Sequence, residues 1–267
     1  MFSGIGGFSL GLERTGGFRT VAFCEIEPFC QRVLAKHWPD VPIHHDVRKL
    51  TGKDVGPVDV VCGGFPCQDI SCAGQQAGMD GTRSGLWSEI ARLISEIRPT
   101  YVIVENVSNL LSGPSERPGG WFGRVLGDLA TIGFDAEWHC IPASYVGAWH
   151  RRDRVWLVAY PASDSTGSAT KPILRQRHLS VESGRGFARW PGRPDLPKSR
   201  FRGDDDGLPR RLERNVALGN AVVPQIPEII GRAILEAESH ADARDGCGSE
   251  QSERVATPSS GASGSRT

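Results

Sequence analysis

Short apolar runs alternate with amphipathic segments along the first part of the chain. The runs TVAFC at 20–24, VDVVC at 58–62 and TYVIV at 100–104 are rich in β-branched residues, and a polar or glycine-rich stretch follows each one. Between the last two runs, apolar residues at 86–97 recur with the spacing of one helical face. This alternation predicts βαβ units around a parallel sheet, which is an α/β fold.

Two further runs, EWHCIPA at 137–143 and RVWLVA at 154–159, predict an antiparallel pair that finishes the sheet. We therefore assign residues 1–160 to one main domain. A sheet of this kind binds ligands at the carboxyl ends of its parallel strands, so the residues that follow the strands are the first candidates for a functional site.

Beyond residue 160 the pattern changes. Residues 161–213 are rich in Pro, Gly, Ser and Arg and hold too few apolar side chains for a core of their own, which predicts a small loop-rich module. Residues 214–238 predict a return segment and a helix that packs on the main domain, and the polar stretch 239–267 predicts a disordered tail.

The composition, with 39% hydrophobic and 23% charged residues, is that of an ordinary soluble domain. No apolar run approaches the roughly 18 residues of a membrane span, and no basic-then-apolar leader opens the sequence, so we expect a cytoplasmic protein. The seven cysteines lack the paired spacing of a zinc site, which predicts reduced thiols and no bound metal.

The net charge is zero, but the charge is unevenly distributed. Residues 161–203 hold nine basic residues against three acidic ones, a net charge of about +6. The basic residues are Lys171, Arg175, Arg177, Arg185, Arg189, Arg193, Lys198, Arg200 and Arg202. This excess indicates a polyanionic partner; a solvated loop in a neutral protein is the alternative.

The stretch FSGIGGFSLGLE at 2–13 predicts a glycine-rich turn that opens a helix and lets a ligand approach the backbone. Its glycines do not fit the dinucleotide pattern G-x-G-x-x-G, because Ser9 stands at the third position. Glu25 ends the next strand, where a carboxylate can bind a ribose hydroxyl, and Asp46 ends the third segment, where it can accept from an adenine amino group. These positions predict a nucleoside cofactor. The alternative is that both acids are merely exposed strand ends.

The stretch GGFPCQDIS at 63–71 places Cys67 at the carboxyl end of a strand. A thiol there is either an attacking nucleophile or a buried core residue, and the stretch alone does not decide between them. Glu105 and the arginines of HRRDRVW at 150–156 are predicted at the same edge of the sheet, which favours a reactive site.

Together these motifs resemble the cytosine-C5 DNA methyltransferase family, in its phage or bacterial type with a short target recognition segment. The motifs stand in the family's order over nearly all of residues 1–236: FSGIGG, Glu25, Asp46, GGFPCQDIS, GTRSGLWSEI, ENV, RRDR and ALGNAVVPQ. The resemblance implies the Rossmann-like sheet of an S-adenosylmethionine-dependent methyltransferase with a small loop-rich second domain.

The resemblance also implies a mechanism. Cys67 adds to C6 of a cytosine flipped out of the duplex, Glu105 holds or protonates N3, and Arg154 bonds O2. The activated C5 then takes the methyl group of S-adenosylmethionine, and loss of the C5 proton releases the enzyme. The supporting positions in the active site are Pro66, Asn106 and Arg152.

The family's cofactor positions correspond to Phe2, Ser3, Gly4, Gly6, Gly7, Glu25, Ile26, Asp46, Val47, Phe65, Asn220 and Val222. Residues 161–213 occupy the place of the target recognition domain. The implied partner is double-stranded DNA, with a restriction endonuclease acting separately, and we expect a monomer associated with the nucleoid.

The chain departs from the family pattern in two places. Family members usually carry a full strand before the glycine loop, whereas Phe2 follows Met1 directly, so we expect either a start further upstream or a sheet that tolerates the lack of a central strand. His150 stands where many members have glutamine.

Three other functions compete with this interpretation. A tRNA cytosine methyltransferase shares the motifs. In those enzymes, however, the sequence after Pro-Cys resembles the letters CFT, whereas this chain has Gln68-Asp69-Ile70 there. A DNA-binding remnant without catalysis would bind no S-adenosylmethionine. A nicotinamide dehydrogenase is disfavoured by the glycine spacing and explains neither Cys67 nor Arg154.

Overall fold

A computed structural model describes residues 1–65, 85–112, 120–148, 150–162 and 217–250 of the protein. No helix in these ranges is long and apolar enough to cross a bilayer. The elements in chain order are α1 Gly7–Glu13, β1 Phe23–Cys24, α2 Pro28–His37, β2 Ile43–His44, α3 Gly52–Val55, β3 Val60–Gly63, α4 Leu86–Ile97, β4 Tyr101–Val107, α5 Gly120–Ile132, β5 Phe134–Pro142, β6 Asp153–Pro161 and α6 Gln225–Glu250. Single 3-10 turns follow β4 at Ser108–Ser112 and β5 at Ala143–Val146.

The strands form two sheets. β1 and β2 make a parallel pair, and the larger sheet has the order β3-β4-β6-β5. β3 and β4 are parallel, while β6 runs antiparallel to both β4 and β5. The parallel pair of β3 and β4 and the antiparallel finish of β6 and β5 are therefore as the sequence predicts. The run at 20–24, predicted in the same sheet, instead supplies β1 of the separate pair. Because β6 is antiparallel, its amino end meets the carboxyl ends of β3 and β4 at one edge.

Helices cover both faces of the larger sheet. Along β4, Val102 and Val104 pack in the cluster that includes residues of α4 and α5, while Tyr101 and Ile103 pack in the cluster that includes residues of α1 and α6. A strand that is apolar on both faces is expected where both faces are buried. This layering confirms the predicted Rossmann-like α/β fold.

α6 returns to the main domain and packs on α1. Ile226 and Ile230 share a buried cluster with Phe8 and Leu12. The helix runs to Glu250, so the start of the predicted disordered tail at 239 is helical instead. Ala241, Ala243 and Arg244 in this stretch are good helix formers, and extending an existing helix needs no new nucleus. Residues 163–216, which include almost all of the predicted recognition segment, and 251–267 lie outside the described part of the chain.

Residues 1–3 connect the two sheets. The amino group of Met1 donates to the carbonyl oxygen of Cys62 on β3 at 2.6 Å, and the Ser3 N–H donates to the carbonyl oxygen of Cys24 on β1 at 3.1 Å. Within the described ranges, β1 and β3 belong to separate sheets and are not paired with each other.

Candidate active site

Glu105 and Arg154 form an ion pair at the edge where β4 ends and β6 begins. The two strands are neighbours, with Val107 opposite Arg154 in the register, and this places Arg154 Nε 3.0 Å from Glu105 Oε1. Glu105 is only 8% exposed. Burial raises the pKa of Glu105, and this outweighs the opposing effect of the positive charges on Arg154 and Arg152. A carboxyl group of this kind retains a proton at higher pH than an ordinary glutamate does.

Asn106 connects the end of β4 to the loop that follows β3. Its Nδ2 donates to the carbonyl oxygen of Phe65 at 3.3 Å, and its Oδ1 accepts the Val107 N–H at 2.8 Å. Phe65 directly precedes Pro66 and Cys67, both of which lie outside the described residues. The amide thus fixes the point from which the predicted nucleophile loop departs.

Gly64 contributes to this site in a way that sequence reasoning missed. A Cβ at Gly64 would lie 3.0 Å from Glu105 Oε2 and 3.1 Å from the Glu105 carbonyl oxygen. Only a residue without a side chain lets the loop pass this close to the carboxylate. The glycine pair at the end of β3, Gly63 and Gly64, was the available signal.

Arg152 binds a different part of the chain from Arg154. Its guanidinium donates to the carbonyl oxygens of Gly219 and of Ala221, the latter at 3.0 Å. The Arg152 backbone has a φ of 39°, in the left-handed region that non-glycine residues seldom adopt. Arg152 therefore joins the start of β6 to the return segment, which carries the predicted cofactor residues Asn220 and Val222.

The carboxylate of Glu25 binds the glycine-rich turn. Its Oε2 accepts the Gly4 N–H at 2.6 Å, and its Oε1 accepts the Glu27 N–H at 2.9 Å. Gly4 has a φ of +53° and no atom within 4 Å of the place a Cβ would occupy. Beside it, Ile26 is 58% exposed. An open glycine backbone, a fixed carboxylate and an exposed apolar side chain together suit a nucleoside, whose sugar hydroxyls and base they can contact.

The other glycines of this turn serve packing. A Cβ at Gly6 would lie 2.5 Å from the Trp38 ring, one at Gly7 2.5 Å from the Val222 carbonyl oxygen, and one at Gly11 2.2 Å from the Pro224 carbonyl oxygen. The sequence interpretation assigned the whole turn to ligand approach. In the structure only Gly4 is open, and the remaining glycines let α2 and the return segment lie against α1.

Two of the predicted cofactor residues point their side chains into the core. Val47 is buried in a cluster with Cys24, Leu50 and Leu93, and Phe65 packs on Trp87 with ring centroids 5.5 Å apart. The structure therefore does not bring these two side chains to the surface beside Glu25.

Phe2, Ser3 and Asp46 lie nearer the surface. Phe2 has a φ of 51° and is half-buried, and Ser3 Oγ donates to the Cys24 carbonyl oxygen at 3.2 Å. The carboxylate of Asp46 accepts from the Arg48 guanidinium at 2.9 and 3.2 Å, and this contact lowers the pKa of Asp46. The Asp46 side chain is half-buried, and both of its carboxylate oxygens accept from Arg48.

These features define a class of protein: a Rossmann-like α/β domain with a glycine turn bound by a carboxylate at one strand end and a buried acid–guanidinium pair at another. The family model of the C-5 cytosine-specific DNA methylases matches residues 1–183, and the chain belongs to that family.

Several relatives and solved structures are similar to this chain. It is 37% identical over 163 residues to the type II methyltransferase M2.BsuMI of Bacillus subtilis, covering 60% of this chain and 40% of that protein. It is 35% identical over 160 residues to M1.ScrFI of Lactococcus lactis subsp. cremoris, with the same coverage of both chains. A mutant of DNMT2 from Spodoptera frugiperda shares the fold, at a TM-score of 0.50 and 19% identity over 61% of this chain and 49% of that one. The chain thus spans about 40% of the length of the two curated relatives.

Proposed function

We propose that the protein transfers a methyl group from S-adenosylmethionine to C5 of a cytosine in a specific sequence of double-stranded DNA. The observation that carries this proposal is the buried Glu105–Arg154 pair, next to the loop that leads to Cys67. A general acid of raised pKa beside a fixed guanidinium is what a pyrimidine ring requires when a nucleophile adds to it.

The residues around the glycine turn fit the cofactor. Gly4 and Glu25 would hold the sugar, Ile26 would pack against the base, Asp46 would accept from the adenine amino group, and Asn220 would close the site from the return segment. S-Adenosylmethionine, when bound, supplies an electrophilic methyl group.

The chain's own residues activate the cytosine. The Cys67 thiolate forms a bond to C6, and Glu105 gives a proton or a hydrogen bond to N3, so that electron density moves to C5. Arg154 donates to O2 and orients the ring. Methyl transfer to C5 would leave S-adenosylhomocysteine. C5 then loses its proton to a base, the S–C6 bond breaks, N3 returns any proton it took to Glu105, and the thiolate is regenerated.

The basic segment 161–213 would contact the DNA, and the target base must leave the stack because its reacting atoms are inaccessible in a duplex. The relatives named above are type II methyltransferases, and by analogy we propose that a restriction endonuclease, acting separately, recognises the same sites.

A covalent trap tests the proposal. The full chain is incubated with duplex DNA that carries 5-fluorocytosine at every cytosine, since the recognised sequence is not needed in advance. Fluorine cannot leave C5 as a cation, so a denaturation-resistant complex should accumulate only when S-adenosylmethionine is present. Peptide mapping should place the adduct on Cys67.

Two cysteine variants sharpen this test. Cys67→Ala should lose both trapping and turnover but still bind S-adenosylmethionine, because the residues around Gly4 and Glu25 are unchanged. Cys140→Ala removes an exposed thiol elsewhere on the domain and should trap normally. Methylation at a normal rate by Cys67→Ala would refute the mechanism, and a chain that binds no S-adenosylmethionine would indicate a DNA-binding remnant.

A further inference from the structure

Arg92 on α4 binds the turn that carries Asp46. This turn, which we call the Asp46 turn, comprises residues 46–50 between β2 and α3. The Nη2 atom of Arg92 donates to the carbonyl oxygen of Val47 at 3.1 Å and to that of Leu50 at 2.8 Å. These two carbonyl oxygens lie on either side of residues 48 and 49. One guanidinium nitrogen therefore holds both halves of a turn that is 42–45 residues away in the chain.

Two carboxylates hold the Arg92 guanidinium in place. Its Nε donates to Glu89 Oε2 at 2.9 Å, and its Nη1 donates to Glu96 Oε1 at 2.7 Å. Glu96 Oε2 in turn accepts the Gly52 N–H at 2.7 Å, where α3 begins. Residues three and four apart share one face of a helix, and a planar guanidinium donates in fixed directions. The face of α4 thus presents Arg92 to the turn in one orientation.

Apolar packing supports the same contact. Val47 and Leu50 are buried in one cluster with Leu93, the neighbour of Arg92 on α4. Burial of apolar side chains has no preferred direction, whereas hydrogen bonds require alignment of donor and acceptor. Packing therefore keeps the Asp46 turn against α4, and the two bonds from Arg92 set its orientation.

The position of the Asp46 carboxylate follows from that of the turn. The Asp46 carbonyl oxygen accepts the Leu50 N–H at 3.2 Å, and Asp46 Oδ1 accepts the Arg48 N–H at 3.0 Å. Both the main chain and the side chain of Asp46 are thus bonded to residues of the turn. A change in the orientation of the turn would move the carboxylate with it.

We propose that Arg92 is a positioning residue for the adenine of the cofactor: it orients the Asp46 turn so that the Asp46 carboxylate can accept from the amino group at position 6 of the ring. This inference rests on the proposed function, in which Asp46 binds that amino group. In this role Arg92 acts through Asp46 rather than on the ligand, so its effect on binding depends on the amino group.

The test measures how the full chain binds two ligands by isothermal titration. One is S-adenosylhomocysteine, and the other is its analogue with hydrogen in place of the 6-amino group. The parent chain should bind S-adenosylhomocysteine about tenfold more tightly than the analogue, as expected for one hydrogen bond to a charged acceptor. Arg92→Met should weaken S-adenosylhomocysteine binding by about tenfold and change the Kd of the analogue by less than about twofold, so that the preference is lost.

Arg92→Lys is the conservative variant. It keeps the positive charge and one donor group but loses the planar fork, so the preference for S-adenosylhomocysteine should fall between those of the parent and of Arg92→Met. This variant decides the question if Arg92→Met does not fold. A preference equal to that of the parent in a folded Arg92→Lys would overturn the proposal.

Two further variants separate positioning from general support of the fold. Arg124→Met on α5 removes a guanidinium of similar exposure, 36% against 33%, that pairs with Asp128, and it should leave the preference unchanged. In an Asp46→Ala background, adding Arg92→Met should change S-adenosylhomocysteine binding by less than about twofold, because both residues act through one contact. Equal weakening of both ligands in Arg92→Met, or additive losses in the double variant, would overturn the proposal.

The outcomes also distinguish this inference from the proposed function. A parent chain that binds S-adenosylhomocysteine and forms the 5-fluorocytosine adduct on Cys67, yet keeps its preference in both Arg92 variants, would overturn the role of Arg92 alone. A parent chain that binds both ligands equally would overturn the assignment of the amino group to Asp46, and this inference with it. A parent chain that binds neither ligand would overturn both this inference and the proposed function.

Discussion

The guanidinium of Arg154 lies 3.0 Å from the carboxylate of Glu105, and both side chains are largely buried at the same edge of the sheet. Two opposing effects act on the pKa of Glu105. Burial raises the pKa of Glu105, while the charge of Arg154 lowers it. Arg154, together with Arg152, therefore limits how far the pKa of Glu105 rises.

Replacing Arg154 should shift the pH dependence of methyl transfer. In the mechanism that we propose, Glu105 acts while protonated, so the rate should fall as pH rises through the pKa of Glu105. Arg154→Met removes the positive charge that lowers this pKa, and the alkaline limb should move to higher pH. The maximal rate should drop at least about tenfold, because the bond to the base is lost. Single-turnover rates measured across pH give both effects.

Arg151→Met is the control for this profile. The Arg151 side chain is 83% exposed and pairs with Asp153, so its removal should leave the limb where it is. A limb that moves to lower pH in Arg154→Met would show that the ion pair does not act on Glu105 in this way.

Arg152 should affect cofactor binding more than the chemical step. Its bonds to Gly219 and Ala221 hold the return segment, and losing both in Arg152→Ala should weaken S-adenosylmethionine binding by about tenfold. Arg152→Lys, which keeps one donor group, should recover part of the affinity. Isothermal titration and the ratio of KM to kcat measure this effect. A fall in kcat with unchanged KM would assign Arg152 to the reaction itself.

Glycines in two helices should respond to alanine in opposite ways. Gly11→Ala would place a Cβ 2.2 Å from the Pro224 carbonyl oxygen, and the resulting strain should cost about 1–3 kcal/mol of unfolding free energy. Gly127→Ala in α5 meets nothing within 4 Å and should stabilise the protein by up to about 1 kcal/mol. Denaturant titrations of both variants measure these changes in unfolding free energy. A stabilised Gly11→Ala would contradict the close packing of α1 on the return segment.

Residues 161–213 should determine which DNA sites are methylated. They carry the local basic excess and lie between the RRDR and GNAVVP motifs. Exchanging this segment with that of a relative should move the methylated sites, and bisulfite sequencing of plasmid from cells that express the hybrid records the change. Binding should weaken as salt rises. A pattern that stays with residues 1–160 would show that the main domain reads the sequence.

The sequence by itself predicted the elements and the edge at which the chemistry gathers. β-branched runs and helical spacing are local patterns, and they correctly predicted β3, β4, β5, β6 and α4. The strand ends of a sheet meet at shared edges, so the strand pattern alone is enough to group Glu105, Asn106 and Arg154. The motifs also identified the family, because their residues and their order can be read from the chain without knowing the fold.

Only the tertiary structure decided how these residues divide their roles. Arg152 and Arg154 are two positions apart in one motif. The register of β6 on β4 nevertheless pairs Arg154 with Glu105, while Arg152 binds the return segment. Likewise, four glycines look alike in the sequence, but only Gly4 is open, since backbone and side chains from distant segments crowd the others. Strand register and close backbone approach depend on residues far away in the chain, and a local sequence pattern does not specify which residues those are.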